Sequence, residues 1–164
     1  MNSIQDIKIR KAKKEDLNYL VKFSNNLLEY HIKLDNYYKL GKAVKNRGTL
    51  KFLSDKLKQR NSVILIAEKN GLPIGFFMGS TVMPLQFMKR KIGIILDAFV
   101  VPKYRRLGIG EKGIVEMTKW FKSKSVKNIE ASVHIKNKIG IKAWKKFGFD
   151  EFLLRMRMDL GFSI

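Results

Sequence analysis

The stretch that decides the fold is Val100-Val101-Pro102-Lys103-Tyr104-Arg105-Arg106-Leu107-Gly108-Ile109-Gly110. An apolar run, Ile92 to Val101, stops at a proline, and two arginines and two glycines follow before a helical pattern begins. A strand that leads through a glycine-rich turn into a helix directs main-chain N–H groups and the positive end of the helix dipole at one point. Glycine at positions 108 and 110 tolerates positive φ and lets the main chain approach an anion closely. The stretch therefore predicts a phosphate-binding turn.

The charge of the chain is strongly basic, with 34 Lys and Arg against 14 Asp and Glu and a formal net charge of +20. Such a surface attracts nucleic acid, anionic lipid or a phosphorylated cosubstrate, and it repels polycations such as polyamines. A lysine-rich proteome whose charged faces only meet solvent explains the same excess equally well.

Length and composition narrow the class of protein. The 164 residues have the length of one domain, which we expect to span 1–164. The chain has no cysteine, so disulfides, cysteine-ligated metals and an acyl-cysteine intermediate are excluded, and we expect no metal. No signal peptide and no apolar run of about 20 residues is visible, so the expectation is a soluble, cytoplasmic protein with no membrane partner.

Hydrophobic periodicity predicts a mixed sheet with helices on both sides, in the order β-α-α-β-β-β-α-β-α-β. The predicted strands are a short one around Ile7 to Lys11, then Ser62 to Lys69, Leu72 to Val82, Lys91 to Val101, Asn128 to Ile135 and about Phe149 to Leu160. The predicted helices are Leu17 to His31, Leu50 to Gln59, Ile109 to Phe121 and Gly140 to Phe147, with Asp35 to Gly48 irregular.

Three motifs together resemble the GNAT superfamily of acetyl-CoA-dependent N-acetyltransferases. The first is Arg105-x-x-Gly108-x-Gly110, preceded by Val100-x-Pro102, which matches the acetyl-CoA signature R/Q-x-x-G-x-G/A. The second is Asn137, Gly140 and Trp144 to Phe149, which resembles N-x-x-A-x-x-x-Y-x-x-x-G-F. The third is Ile9-Arg10-Lys11-Ala12 with Asp16, which resembles the usual start of the domain. The resemblance implies an α/β, single-domain GNAT fold whose central strands, Ile92–Val101 and Asn128–Ile135, splay apart around the pantetheine arm of acetyl-CoA.

The resemblance also implies which residues bind this cosubstrate. Main-chain groups of Phe99, Val100 and Val101 would hold the pantetheine amides, and Asn137 would hydrogen-bond the same arm, cap a helix, or do both. The amides that would cradle the pyrophosphate are those of Arg106, Leu107, Gly108, Ile109, Gly110 and Glu111. Arg105 and Arg106 would add charge, although one of them could be an ordinary surface arginine.

The implied reaction is direct attack of an amine on the acetyl thioester. A main-chain N–H near Val100 would stabilise the oxyanion, and an acidic group would accept the ammonium proton. Asp97 is the best base candidate because it is the only acidic residue between Ile92 and Val101; the alternative is a structural acceptor in the strand. Some relatives place the base one residue earlier, where this chain has Leu96.

The sharpest departure from the family pattern is Trp144, at the place where the family usually has the tyrosine that protonates the leaving thiolate. Indole donates a hydrogen bond but cannot act as a general acid near neutral pH. Gly140 replaces the usual alanine, which lowers helix propensity only.

Glu29, Tyr30 and His31 end the first predicted helix, which in the family borders the acceptor site. His31 lies on the apolar stripe, which favours a packed role. For His134 the sequence favours a solvent-facing or packed role over one that faces the cleft. The acceptor region, Glu29 to Gly48 and the turn at Leu85 to Lys91, carries no known motif.

The function implied is transfer of an acetyl group to a primary amine, on a protein N-terminus, a lysine or a small molecule, with a mild preference for a protein. The basic surface would bring such an enzyme to nucleic-acid-bound proteins or ribosomes, and a homodimer is left open. The alternative is a basic nucleic-acid-binding protein with a vestigial acetyl-CoA site, although no nucleic-acid-binding module is visible.

Overall fold

The protein is described from a computed structural model that covers residues 6–39, 42–84, 90–158 and 160, with the main chain alone for residues 42–45. Its sheet has five strands in the order β1-β2-β3-β4-β5. The strands are β1 (Ile7–Lys11), β2 (Ser62–Lys69), β3 (Leu72–Val82), β4 (Ile92–Val100) and β5 (Asn128–Ala131). The first four are antiparallel neighbours and β5 runs parallel to β4, so the predicted mixed sheet is confirmed.

Helices cover both faces of the sheet, as predicted. The helices are α1 (Leu17–Leu34), α2 (Lys42–Lys58), α3 (Ile109–Ser123) and α4 (Lys138–Lys146). Because side chains alternate along a strand, β2 supplies Ile64 and Ile66 to the core under α1 and α2, and Val63 and Leu65 to the core under α3. Every helix among the described residues is too short or too polar to cross a bilayer.

Arg10 ties the start of α1 to two strands. Its guanidinium donates to both carboxylate oxygens of Asp16, at 2.7 and 2.9 Å, and to Glu68 of β2 at 2.6 Å. Asp16 is buried and also accepts from the N–H of Lys13 at 2.7 Å. A bidentate arginine–carboxylate pair fixes orientation as well as distance, so α1 leaves β1 in one direction.

Helix α3 lies close to the sheet because glycines face it. A Cβ at Gly113 would come within 2.2 Å of the Phe77 ring on β3. On the sheet side, a Cβ at Gly79 or Gly93 would meet the Phe121 ring at 2.8 or 2.6 Å. The aromatic side chains thus fill the space that a larger residue would need, and α3 is held at one height above the strands.

Three predicted elements differ from the structure. Helix α2 begins at Lys42, so residues 42–48, the second half of the segment predicted as irregular, are helical. Its contacts with α1 stabilise a stretch of low intrinsic propensity, and tertiary packing overrides propensity in this way elsewhere.

Strand β5 ends at Ala131 rather than Ile135, because it leaves β4 there and has no partner beyond. The last predicted strand, Phe149 to Leu160, is not a strand at any described position. Its alternating pattern is present, but its apolar side chains, among them Leu154, Met156 and Met158, are exposed.

Gly113→Ala is expected to lower the free energy of unfolding by about 1–3 kcal/mol, because the new methyl group overlaps the Phe77 ring. Helix propensity alone predicts a gain of about 1 kcal/mol, so the two effects have opposite signs. Urea denaturation measures the difference. Val115→Ala, at an exposed position of the same helix, is the control and should change stability by no more than about 0.5 kcal/mol. If Gly113→Ala proved as stable as wild type, the close packing would be contradicted.

Candidate active site

Strands β4 and β5 part after four paired residues. The pairing runs from Ile92 with Asn128 to Ile95 with Ala131, and β4 continues to Val100 without a β5 partner. The structure therefore confirms the predicted splay of the central strands, and a gap opens along the second half of β4.

Only one of the three residues predicted to bind through the main chain turns its main chain towards this gap. The N–H of Val101 donates to the carbonyl oxygen of Ile74 in β3 at 2.9 Å. Two residues before Val101, Phe99 pairs with Phe76 of β3. Since main-chain groups alternate sides along an antiparallel strand, Phe99 and Val101 point theirs at β3 and Val100 points its own at the gap.

A β-bulge sets the direction of Asp97. Asp97 pairs with Met78 and Ile95 pairs with the next residue of β3, so Leu96 is an extra residue in the ladder. Ile95 belongs to the core under α3, whereas Met78 and Phe99 belong to the core under α1 and α2. Without the bulge, Asp97 would share the face of Ile95; with it, Asp97 lies on the face of α1 and α2. Bulges commonly re-aim a side chain beside a functional site.

Asp97 is half-buried, and none of the described residues forms a hydrogen bond or ion pair with its carboxylate. Burial raises the pKa of Asp97 to about 7, because the charged form loses hydration that no partner replaces. A carboxyl group with a pKa near the working pH is suited to accept and release protons.

The turn after β4 contains two residues with left-handed backbone conformation, Arg106 with φ 64° and Gly108 with φ 70°. A Cβ at Gly108 would meet no atom within 4 Å, so glycine is needed there for conformation rather than for space. Gly110 differs, because a Cβ there would lie 3.1 Å from the Phe147 ring. Positive φ at a non-glycine residue such as Arg106 costs about 1–2 kcal/mol, and such outliers are common where a ligand binds.

Arg105 is attached to the strand that precedes the turn. Its Nε donates to the carbonyl oxygen of Val100 at 2.8 Å, and its guanidinium lies 5.8 Å from the centre of the Phe99 ring. Arg106 is exposed. The two arginines therefore differ in role: Arg105 holds the turn against β4, and Arg106 presents its charge to solvent. The remaining predicted pyrophosphate residues open α3, where Ile109 is buried, Leu107 half-buried and Glu111 exposed.

Asn137 caps helix α4. Its Oδ1 accepts from the N–H of Gly140 at 2.8 Å and from the hydroxyl of Tyr30 at 2.9 Å. The structure thus joins two predicted site residues, one assigned to the cosubstrate and one to the acceptor, in a single hydrogen bond between α1 and α4.

Trp144 packs among aromatic rings. Its ring centre is 5.0 Å from that of Phe149 and 6.1 Å from that of Phe147, in edge-to-face geometry. These rings contact the core under α3. The indole of Trp144, which is larger than the phenol ring of the usual tyrosine, therefore has a packing role.

The end of α1 contributes to a cluster that the sequence did not indicate. The N–H of Tyr37 and then the Arg157 guanidinium, at 2.6 Å, lower the pKa of Asp35 to about 2. Nε2 of His134 lies 3.3 Å from the same carboxylate. No local pattern connects these residues, because they come from three distant segments.

His31 contacts this cluster through Tyr38, whose ring centre is 5.4 Å away. Burial, and then the charge of His134, lower the pKa of His31. Glu29 is exposed. Residues 40–41 and 85–89 of the predicted acceptor region lie outside the described residues. Within the described ranges, no group of three or more His, Asp or Glu side chains is arranged to hold a metal ion.

Comparison with known proteins gives the family of this fold and site. The model of the acetyltransferase (GNAT) family matches residues 28–149. The chain belongs to the GNAT family. An uncharacterized N-acetyltransferase of Methanocaldococcus jannaschii is 29% identical over 154 residues, which are 92% of this chain and 63% of that protein. A second uncharacterized N-acetyltransferase, YhfO of Bacillus subtilis, is 35% identical over 102 residues, 62% of each chain. The GNAT chain thus spans about three fifths of the length of these relatives.

Solved structures share the fold of the GNAT chain. The BH1408 protein of Bacillus halodurans superimposes with a TM-score of 0.83 at 19% identity, covering 93% of this chain and 99% of that one. A predicted acetyltransferase of Clostridium acetobutylicum, solved with acetyl-CoA, gives a TM-score of 0.75 at 20% identity, covering 94% and 96%.

The raised pKa of Asp97 predicts how stability depends on pH. The folded chain binds the carboxyl proton more tightly than the unfolded chain, so the contribution of the neutral carboxyl is complete below about pH 4 and is lost as pH rises through about 7. Asp97→Asn removes this loss, and the variant should gain most over wild type at pH 8 and least at pH 4 in thermal denaturation.

Asp55→Asn is the matched control for that measurement. Lys51 lowers the pKa of Asp55, so its contribution has the opposite sign and the control should not gain stability at pH 8. A pH-independent difference between Asp97→Asn and wild type would contradict the raised pKa.

Proposed function

We propose that this GNAT chain transfers the acetyl group of acetyl-CoA to a primary amine, which attacks the thioester directly while both substrates are bound. The observation that carries the proposal is the main chain of Val100, which faces the gap between β4 and β5. The turn with Gly108, at the N-terminus of α3, follows the end of the same strand. A long molecule with a phosphate end and an amide-containing arm fits a turn and a gap arranged in this order.

The residues present suit acetyl-CoA as the cosubstrate. Main-chain amides from Arg106 to Glu111 are available at the positive end of α3 for the pyrophosphate, and the open space at Gly108 leaves room for it. The carbonyl oxygen of Val100, which also accepts from Arg105, and the side-chain amide of Asn137 offer hydrogen-bonding groups for the arm. When bound, the cosubstrate supplies an activated acyl group with a thiolate leaving group.

The protein contributes positioning, charge stabilisation and a base. The amine nitrogen attacks the carbonyl carbon, and the N–H of Val100 donates to the oxygen as negative charge develops there. Asp97 accepts the proton that the amine nitrogen loses, and the C–S bond then breaks. The thiolate takes a proton from solvent, because the indole of Trp144 has none to release and a thiol with a pKa of about 8.5 leaves readily.

The acceptor is a primary amine, and we favour the N-terminus or a lysine of a protein over a small molecule. The net charge of +20 repels polyamines and attracts anionic assemblies in which such proteins occur. A panel of peptides and small amines assayed with acetyl-CoA tests this order of preference. Salt-dependent binding of RNA or DNA with no acetyl transfer to any amine would instead support the basic binding protein with a vestigial site.

Gly108→Val is expected to abolish acetyl-CoA binding in calorimetry, because the branched side chain fills the turn and resists positive φ. Gly71→Val is the matched control. Gly71 has φ 77°, also with no atom within 4 Å of a Cβ, but it lies in the hairpin between β2 and β3. The control should lose stability and keep its affinity. Equal affinity in the Gly108 variant and wild type would overturn the pyrophosphate assignment.

Asp97→Asn should lower kcat/KM by about 10²–10⁴-fold with little change in the Kd of acetyl-CoA, because the base is lost and the cosubstrate contacts remain. In wild type, kcat/KM should rise with pH through the pKa of Asp97, about 7, and the variant should lack that limb. A pH–rate profile of wild-type shape in the variant would exclude Asp97 as the base.

A further inference from the structure

The hydrogen bonds of Asn137 fix the orientation of its amide. A side-chain amide oxygen has two lone pairs, and Oδ1 uses both, one for the N–H of Gly140 and one for the hydroxyl of Tyr30. The amide nitrogen therefore takes part in neither of these two hydrogen bonds. No described residue accepts from Nδ2, so both of its N–H groups remain available.

The bond between Tyr30 and Asn137 crosses from one layer of the fold to the other. Helix α1 packs on one face of the sheet through Leu20 and Phe23, whereas α4 contacts the core of the opposite face through Trp144. A direct contact between these layers is feasible where β5 has left β4, because none of the described strands pairs with that part of β4 on the side of the gap. Asn137 follows the last residue of β5 by six positions, on the segment of chain that continues after this strand has left β4.

Gly140 makes this arrangement sterically feasible. A Cβ at position 140 would lie 2.4 Å from Nδ2, 2.7 Å from Cγ and 2.9 Å from Oδ1 of Asn137. Contacts this short are repulsive, so any larger residue would push the Asn137 side chain away from Tyr30. The glycine that departs from the usual alanine of the motif therefore has a steric reason, beyond its lower helix propensity.

We propose that Tyr30 and Gly140 together position Asn137 so that its Nδ2 donates to an amide carbonyl of the pantetheine arm. Tyr30 is then a positioning residue for the cosubstrate and not a ligand of the acceptor amine. This inference rests on the proposed function, since it needs acetyl-CoA in the gap between β4 and β5.

Calorimetry of Tyr30→Phe and Gly140→Ala tests the proposal. Each variant should raise the Kd of acetyl-CoA about three- to tenfold, the equivalent of one lost hydrogen bond. The double variant should be no weaker than either single variant, because both changes release the same side chain. Helix propensity alone predicts that Gly140→Ala stabilises the fold and leaves binding unchanged.

Two matched control variants distinguish a loss of Asn137 positioning from a general loss of helix packing. Tyr19→Phe removes a hydroxyl from the same helix as Tyr30, and Ile139→Ala raises the propensity of α4 at an exposed position; both should bind acetyl-CoA as wild type does. Adenosine 3′-phosphate 5′-diphosphate, which lacks pantetheine, should bind every variant equally. A structural defect would weaken the binding of this fragment as well, and that result would overturn the proposal.

Asn137→Ser keeps the experiment decisive if Gly140→Ala does not fold, because serine still caps a helix but has no amide nitrogen. It should show the same loss for acetyl-CoA and none for the fragment. Wild-type affinity in Asn137→Ser or in Tyr30→Phe would overturn the positioning role alone. If wild type itself does not bind acetyl-CoA, the proposed function fails, and this inference fails with it.

Discussion

The close approach of α3 to the sheet is the constraint on which the rest of the structure depends. Gly113 of α3 packs directly on the Phe77 ring of the sheet. In the same interface, the Phe121 ring of α3 packs on Gly79 and Gly93 of the sheet. This packing fixes the distance between α3 and the sheet, and α3 begins directly after the turn that follows β4. The main-chain amides of that turn and the open half of β4 consequently lie close to one another.

The fold holds the Asp97 carboxyl group in a position where its charged form loses hydration, which costs free energy. Its carboxyl is half-buried beside apolar side chains, and no described residue compensates its charge. The chain instead forms its strong ion pairs elsewhere, at Arg10 with Asp16 and at Arg157 with Asp35. Because this half-buried acid has no cationic partner among the described residues, its pKa stays at about 7 and the acid is close to its point of titration.

The elements around the glycine turn could be predicted because their signals are local: an apolar run, a proline, two glycines and a helical stripe within a few residues of one another. The alternation of β4 could not be extended past Ile95, because the bulge at Leu96 depends on pairing with β3. The contact between Tyr30 and Asn137 also escaped prediction, since the residues are 107 positions apart. The start of α2 and the state of residues 149–158 depend likewise on packing rather than on propensity.

The bulge in β4 has a consequence for how the length of this strand can change. At any other position of β4, deleting one residue would move every later side chain of the strand to the opposite face of the sheet. Leu96 is surplus to the ladder, so its removal would leave Asp97 opposite Met78 and Phe99 opposite Phe76. Insertions and deletions among natural variants of this strand should therefore concentrate at this single position.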